Sequence, residues 1–352
     1  MNQYFYDELK CASTAVSALK VNPGVYAGDE INIIGDEHSL SAYLAGFFML
    51  TAKNNKSGKL NIIAEGEVRN QNLFTEVISE FKGGPTLTVF KNIEDYLVAG
   101  SDIVNRHFFY IANLQLPEYN DADFVAKKKE NLEKWLKIAR DSGGSFVFIP
   151  IFNFAGPFDN GLVCVSEREL EAVSQHDAAF SSGRVLMEME EICRKSFAEK
   201  SISMNVVRFD NIFGPMVDDT TKLGLDSIID DLAYNNKITF KKSDSLTHYT
   251  GCYIRQAVTA VFLVGLIGKN GNIYNAANYS FTMHDIKDNL YKSFAHRNPD
   301  VHFEDDILSG WTIEKNYECL ANLKIRALGW TEETPLREAV YRTALVKLNE
   351  EY

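Results

Sequence analysis

The sequence predicts an α/β protein of the Rossmann type, in which a doubly wound parallel sheet is followed by a smaller C-terminal domain. Short apolar runs alternate with helical patterns in the first half, and this alternation indicates parallel strands with helices on both faces of the sheet. The runs lie at 31–34, 60–63, 86–90, 107–112 and 146–149. Beyond Pro215 the pattern is less regular and includes polar stretches, which suits a smaller domain over the open edge of the sheet.

The predicted helices follow the strands in order. After the first four strands they lie at 40–53, 74–81, 93–99 and 124–140. Residues 1–30 precede the first strand and are interpreted as a partly helical extension with an Asn-Pro-Gly turn. We therefore divide the chain into an N-terminal extension, a Rossmann-type domain and a smaller domain, with one segment of the last returning to the Rossmann-type domain. Their bounds are 1–30, 31–212, 213–352 and, for the returning segment, 253–278.

Composition limits the classes of function. The chain has 352 residues, 45% of them hydrophobic and 24% charged, which is enough for a substantial core and two domains. Its formal charge of -12 argues against a protein that binds nucleic acid by neutralising phosphates. Five scattered cysteines form neither a disulfide framework nor a zinc motif, so we expect no metal and a reducing, cytoplasmic environment. No apolar stretch approaches bilayer length, so no membrane partner is expected.

Three late segments carry a more specific pattern. They read Val-Val-Arg-Phe-Asp-Asn-Ile-Phe-Gly-Pro at 206–215, Gly-Asn-Ile-Tyr-Asn-Ala-Ala-Asn at 271–278 with Thr282 beyond, and Leu-Gly-Trp at 328–330 with Thr-Pro-Leu at 334–336. Together they resemble the extended short-chain dehydrogenase/reductase family, in particular the NAD-dependent epimerases and dehydratases of nucleotide sugars. The resemblance runs from about residue 31 to the carboxyl terminus. It implies a substrate-type second domain, NAD or NADP as cofactor, a nucleotide-sugar ligand, and Thr282 as a helix cap.

The catalytic positions that this resemblance implies are altered. Residues 180–184 read Phe-Ser-Ser-Gly-Arg where the family has Tyr-x-x-x-Lys, a pair in which lysine lowers the pKa of the phenol. Phe180 has no proton to exchange, and Arg184 does not titrate near neutral pH, although it can bind an anion or pair with Glu188. The family's serine or threonine position falls on Ile151 or Phe152.

His176 lies one turn before Phe180 and is the one substitute that the sequence offers for the missing proton donor, since an imidazole exchanges protons near neutral pH. The alternative is an exposed histidine at a helix start, with the neighbouring aspartate near the cap. The sequence favours this second interpretation.

The cofactor loop is altered as well. A dinucleotide site needs Gly-x-x-Gly-x-x-Gly after the first strand, and residues 35–41 read Gly-Asp-Glu-His-Ser-Leu-Ser. Gly35 matches, while His38 and Ser41 stand at the other two glycine positions. Asp36 and Glu37, which lie between Gly35 and His38, would face a diphosphate. In a protein without cofactor they would instead complement the amides at the start of the helix. The resemblance also offers Arg69 as a contact to the adenosine end of NADP, although a solvated arginine after a strand is common. NAD(P) binding is therefore expected to be weakened.

Substrate recognition follows the same trend. Tyr249 stands where relatives present an arginine that grips the diphosphate of the nucleotide sugar, and Arg255 lies further along on a different backbone path. Asn211 matches the family's asparagine near the substrate phosphate, or it satisfies local backbone groups in a turn.

Residues 185–197 resemble the helix through which family members dimerise, so we expect a homodimer, or a heterodimer with an intact homologue, unless that apolar face is internal core. Two functions stay open. One is a catalytically inactive binding, structural or regulatory protein linked to surface-polysaccharide sugar metabolism, and the sequence favours it. The other is an active epimerase, dehydratase or reductase with non-standard catalytic residues.

Overall fold

The computed structural model describes the chain at residues 3–35, 39–53, 55–65, 84–152, 165–174, 181–199, 202–217, 224–245, 248–305, 320–331 and 334–348. Seven strands of this part form the central sheet. They are β1 (Glu30–Gly35), β2 (Lys59–Ala64), β3 (Thr86–Phe90), β4 (Arg106–Asn113), β5 (Ser145–Ile151), β6 (Ser203–Arg208) and β10 (Ile273–Asn275). Their order is β10-β6-β5-β4-β1-β2-β3, and all neighbours pair in parallel. This is the doubly wound order of a Rossmann-type sheet, so the predicted fold class is confirmed.

Helices cover both faces of the sheet. The described helices are α1 (Gln3–Ala18), α2 (Ser39–Thr51), α3 (Ile93–Ala99), α4 (Ala122–Asp141), α5 (Glu167–Ser174), α6 (Ser181–Ala198), α7 (Leu225–Asn235), α8 (Ile254–Ile267), α9 (Met283–Ser293), α10 (Leu323–Arg326) and α11 (Leu336–Leu348). Alternate residues of one strand point to opposite faces, and β1 shows this directly. Ile31 and Ile33 pack in the core beneath α2 and α8, whereas Ile34 packs in the core beneath α4 and α6.

The helices predicted at 40–53, 93–99 and 124–140 correspond to α2, α3 and α4, and that predicted at 185–197 lies within α6. The helix predicted at 74–81 lies outside the described residues. Asp121 explains where α4 begins, because its side chain accepts hydrogen bonds from the amides of Asp123 and Phe124 at 2.8 and 3.1 Å.

The N-terminal helix α1 forms an extra layer over α2 and α8. Its buried apolar side chains are Phe5, Leu9, Ala12 and Val16, spaced to lie on one face. Gly46 of α2 permits the close approach, since a Cβ there would lie 2.8 Å from Leu9 and 2.9 Å from Phe5. Because α1 covers their outer sides, α2 and α8 are apolar nearly all round.

A second group of elements follows β6. The strands β7 (Asn211–Phe213), β9 (His248–Tyr253) and β11 (Tyr279–Thr282) form a three-stranded sheet in the order β11-β9-β7. The strands β8 (Lys237–Lys241) and β12 (Asp300–Glu304) form a separate parallel pair. Thr282 caps α9 as the sequence predicts: its Oγ1 accepts from the amide of Asp285 at 3.1 Å, and the Asp285 carboxylate accepts from the amide of Thr282 at 2.7 Å.

Two general findings concern the described residues alone. None of their helices is long and apolar enough to cross a membrane. Within the same residues, no group of three or more His, Cys, Asp and Glu side chains is placed to hold a metal ion.

A histidine lies at the amino edge of the central sheet. The Nδ1 atom of His107 is 2.8 Å from the Oγ of Ser145, and its Nε2 atom is 3.1 Å from Oδ2 of Asp29. Burial lowers the pKa of His107, and the hydrogen bond and charge of Asp29 offset this only in part. Folding therefore favours the neutral imidazole at this position.

The lowered pKa predicts a pH-dependent stability. An unfolded histidine takes up a proton near about pH 6.5, and the folded His107 resists it, so the unfolded state binds more protons below that pH. We expect the free energy of unfolding to fall as the pH drops below about 6.5, and His107→Gln to flatten this slope. Urea unfolding across this range measures both slopes, with the exposed His302→Gln as the control. Equal slopes in the native protein and in His107→Gln would contradict the prediction.

Candidate functional site

In a doubly wound sheet, ligands bind beyond the carboxyl ends of the strands. Here that edge is formed by the ends of β1, β4, β5 and β6, at Gly35, Asn113, Ile151 and Arg208. Of the predicted site residues, the structure describes Gly35, Ser41, Phe152, Arg184, Asn211 and Tyr249. His38, Arg69, His176 and Phe180 lie outside the described residues.

Gly35 is a glycine because of the neighbouring strand. Its φ is +120°, a region that side chains disfavour, and a Cβ there would lie 1.9 Å from the carbonyl oxygen of Ile111 in β4. The glycine is therefore required by the packing of β1 against β4, whether or not a cofactor binds. Ser41 lies in the first turn of α2 and is buried.

Glu65, which the sequence analysis missed, directly follows β2. Dinucleotide-binding folds use a carboxylate downstream of the glycine loop to hydrogen-bond the ribose. Here the Glu65 carboxylate accepts from the Trp135 indole at 2.9 Å and the Tyr110 hydroxyl at 2.8 Å. The Lys128 ammonium lies 3.0 Å from the Glu65 carbonyl and 3.6 Å from its carboxylate. The Glu65 side chain is 3% exposed, so the protein itself satisfies this acid.

No hydroxyl side chain ends β5. Ile151 is the last residue of the strand, Phe152 follows it, and both are buried. The amide of Phe152 donates to the Phe209 carbonyl at 3.0 Å, which continues the sheet pattern past the strand end. The structure thus places two apolar side chains where the resemblance implies a serine or threonine.

Arg184 lies in the first turn of α6, on the exposed side of the helix. The sequence interpretation offered Glu188 as its partner, but the Glu188 carboxylate accepts from Lys129 of α4 at 3.0 Å. This contact links the two helices on one face of the sheet.

A buried ion pair fixes α6 on the sheet. Arg208 of β6 is fully buried, and its Nε and one terminal nitrogen donate to the two carboxylate oxygens of Glu190 at 2.6 and 2.5 Å. Its other terminal nitrogen donates to the Glu167 carbonyl at 3.1 Å. Removing one partner of such a pair leaves a buried charge and costs about 3–5 kcal/mol. The helix that carries Arg184 is therefore held rigidly.

Carboxamides gather where the chain leaves the central sheet. The Nδ2 group of Asn211 donates to the Thr250 carbonyl at 2.8 Å, joining β7 to β9. Asn211 thus satisfies a backbone group, but one in a distant strand and not in its own turn. The Nε2 group of Gln115 donates to the carbonyls of Phe152 and Asp210, both at 3.3 Å. Asn278 accepts from the Tyr253 amide at 3.0 Å.

Three buried carboxamide atoms of this region have no hydrogen-bond partner within the described chain. They are Oε1 of Gln115, Oδ1 of Asn275 and Nδ2 of Asn278. Buried polar atoms are normally paired, so such atoms are candidates to bind a hydroxyl group or water. They offer two acceptors and a donor, in a region that also holds the buried Asp210, whose carbonyl oxygen lies 3.3 Å from Nε2 of Gln115.

Tyr249 and Arg255 do not form a diphosphate site in this structure. The Tyr249 ring stacks on Phe281, with ring centres 6.3 Å apart and planes 26° from parallel. Arg255 donates through Nε to Glu8 of α1 at 2.7 Å and through a terminal nitrogen to Thr334 at 3.3 Å. Its guanidinium is thus engaged by the N-terminal helix.

Six described tyrosines have a pKa raised above the usual value, with burial as the largest cause. An active phenol needs the opposite shift, toward neutral pH. The six are Tyr26, Tyr43, Tyr96, Tyr253, Tyr274 and Tyr279.

Comparison with solved structures gives the same fold. UDP-glucose 4-epimerase of Thermotoga maritima, solved with UDP-glucose, is 14% identical in sequence. The match covers 90% of this chain and 98% of the epimerase chain, with a TM-score of 0.65. A dTDP-glucose 4,6-dehydratase of Streptomyces venezuelae with NAD bound is 15% identical, with 90% and 95% coverage and a TM-score of 0.68. UDP-glucuronic acid 4-epimerase of Bacillus cereus with NAD is 13% identical, with 90% and 98% coverage and a TM-score of 0.65. No protein-family model and no curated protein matches the sequence. At this identity the likeness establishes the fold.

Gly35→Ala tests the packing role of this glycine. Because the new Cβ would meet a backbone carbonyl in a positive-φ position, we expect a loss of at least about 3 kcal/mol in the free energy of unfolding. Gly143→Ala is the matched control, since Gly143 has φ +66° and nothing within 4 Å of an added Cβ. It should lose about 1–2 kcal/mol. Denaturant unfolding measures both, and equal losses would contradict the packing role.

Proposed function

We propose that this chain is a catalytically degenerate member of the extended short-chain dehydrogenase/reductase family, of the nucleotide-sugar epimerase and dehydratase type. Its function is that of a binding, structural or regulatory protein linked to surface-polysaccharide sugar metabolism. The observation that carries the proposal is that Ile151 and Phe152, the two candidates for the family's hydroxyl position, are both apolar and buried. Proton transfer to a substrate oxygen needs a group that ionises, and neither side chain has one.

The described residues do not fit NAD or NADP, which the resemblance implies and which several proteins of the same fold bind. The carboxylate at the end of β2 is already held by Trp135, Tyr110 and Lys128. A ribose hydroxyl would have to displace these donors from a nearly dry position, which leaves buried donors unpaired. Gly35 is explained by β4 alone. No step of a reaction is therefore assigned to the nicotinamide.

A nucleotide-sugar ligand fits the carboxamide cluster better. Gln115, Asn275 and Asn278 present buried atoms that can bond sugar hydroxyls in both directions. Such groups orient a hydroxylated ligand but neither donate nor accept a proton in a reaction. Tyr249 offers an aromatic ring in place of the diphosphate-gripping arginine, so we expect the sugar and base to contribute more to affinity than the phosphates do.

Pairing with a second chain is inferred from residues 185–197, which resemble the helix through which family members dimerise. These residues lie in α6, beside α4, to which Lys129 and Glu188 join it. The partner is a second copy of this chain or an intact homologue. In either dimer this chain would serve as a structural subunit with a ligand-binding site. Cys11, Cys193 and Cys252 are free thiols, which suits the cytoplasm, where such homologues and their nucleotide sugars meet.

The second candidate is an active epimerase, dehydratase or reductase with reassigned groups. The observation that favours it is the fold itself, which matches NAD-bound enzymes over 90% of this chain. His176 would be its proton donor, with an imidazole that titrates near neutral pH. Cofactor binding separates the two candidates.

Calorimetry with four ligands tests the proposal. We expect NAD and NADP to bind with dissociation constants weaker than about 1 mM, and UDP-glucose or dTDP-glucose to bind measurably. Gln115→Leu should weaken sugar-nucleotide binding about tenfold, because it removes a carboxamide from the cluster. The control is Gln3→Leu, which removes an exposed carboxamide from α1. Micromolar binding of NAD or NADP would overturn the inactive assignment and favour the second candidate.

Restoring the catalytic pair gives an independent test. Phe180→Tyr with Arg184→Lys returns a phenol and an ammonium to their family positions but leaves Glu65 and the 35–41 loop unchanged. We expect no epimerisation or dehydration of UDP-glucose or dTDP-glucose in the presence of NAD or NADP, since the cofactor contacts are still missing. Chromatography of the sugar nucleotides measures this. Turnover by the double variant would show that the cofactor contacts are sufficient and that the catalytic pair alone was lost.

A further inference from the structure

A buried carboxylate of the N-terminal helix has partners from three distant elements. Glu8 of α1 is 1% exposed. Its Oε1 atom accepts from the Tyr253 hydroxyl at 2.9 Å and from Nε of Arg342 at 2.6 Å. Its Oε2 atom accepts from Nε of Arg255 at 2.7 Å. The donors come from the end of β9, the start of α8 and the middle of α11.

These donors belong to two different parts of the molecule. The sheet lobe is defined here as the seven-stranded sheet with α2, α4, α6 and α8, and α8 packs directly on β5 and β6. The second lobe is defined as α7, α9, α11 and the β8–β12 pair, and α11 packs against α7 and α9. Lys347 of α11 reinforces that lobe through Asp226 and Asp230 of α7, at 2.6 and 3.1 Å. Glu8 therefore joins α8 of one lobe to α11 of the other.

The apolar face of α1 holds the helix on the sheet lobe independently of Glu8. Phe5 lies against Tyr43 of α2 with ring centres 4.4 Å apart, and Leu9 fits over Gly46. Because α1 is anchored in this way, the position of the Glu8 carboxylate is fixed relative to the sheet lobe. The hydrogen bond from Arg342 then holds α11 of the second lobe at that position.

Electrostatics make Glu8 the centre of this cluster. Burial by itself would lower the pKa of Arg255 and of Arg342, but the charge and hydrogen bonds of Glu8 raise both. Burial, and then the charge of Glu8, raise the pKa of Tyr253, so its hydroxyl stays a donor. The carboxylate of Glu338 lies 3.9 Å from Arg342 but is 44% exposed, so it cannot replace Glu8. Without Glu8, two guanidinium groups would face each other in a region with little water.

We propose that Glu8 is a positioning residue, which holds the second lobe against the sheet lobe through Arg342. The N-terminal helix then acts as an internal brace between the two lobes, a role that the resemblance to the enzyme family does not provide. The proposal concerns the chain's own lobes, so its test needs no ligand and stands apart from the proposed function.

Hydrogen exchange measured by mass spectrometry tests the clasp in the full chain. Glu8→Gln removes the charge at constant shape, and we expect amide exchange in α11 to rise at least about tenfold while β4 and β5 keep their protection. Asp244→Asn is the matched control. It breaks another buried pair, with Lys287 at 2.6 Å, but one that lies within the second-lobe side of the molecule. Exchange should then rise around β8 and α9 and stay unchanged in α1.

A second variant keeps the test decisive if Glu8→Gln does not fold. Arg342→Met leaves Glu8 paired with Arg255 and Tyr253, so α1 should keep its protection while α11 alone exchanges faster. Two results would overturn the proposal. One is unchanged exchange in α11 of both variants, and the other is a rise that spreads equally over the sheet lobe and the second lobe.

Discussion

A charge buried in this fold must be paired inside the protein, because its transfer from water costs several kcal/mol unless a partner compensates it. Three buried carboxylates meet this requirement around the carboxyl edge of the sheet and its flank. Glu65 is held by Trp135, Tyr110 and Lys128, Glu190 by Arg208, and Glu8 by Arg255 and Arg342. The pairs fix the strands and helices in place. Because these charged side chains are paired with one another inside the protein, they are not free to bind a charged ligand.

The sheet was predictable from sequence because each strand is short, apolar and followed by a helical pattern. The runs at 31–34, 60–63, 86–90, 107–112 and 146–149 all lie in β1 to β5, and the order of the strands then follows from handedness and connection length. The Thr282 cap was also readable, since its partner Asp285 is only three residues away. An interaction between residues close in sequence can be recognised from the residue types at neighbouring positions.

An ion pair between residues far apart in sequence cannot be recognised in this way. Glu8 meets Arg255 and Arg342 across separations of 247 and 334 residues, and an acidic residue on an amphipathic helix looks like any solvated charge before the fold is known. Gly35 shows the same limit in another form. The sequence offered Gly35 as the one remaining glycine of a three-glycine cofactor loop, whereas the structure gives this glycine a packing reason, the nearby Ile111 carbonyl. Glu65 carries a weak signal in the sequence, as an acid just after the second apolar run, which is where a ribose-binding carboxylate would lie.

We propose that this molecule shares the fold of NAD-bound sugar-nucleotide enzymes but does not hold the cofactor. Mass spectrometry under non-denaturing conditions, on protein isolated without added nucleotide, tests this most directly, because proteins of the same fold have been solved with NAD in place. We expect the mass of the polypeptide, alone or as its dimer, with no NAD or NADP attached. A stoichiometric nicotinamide cofactor in that spectrum would contradict it.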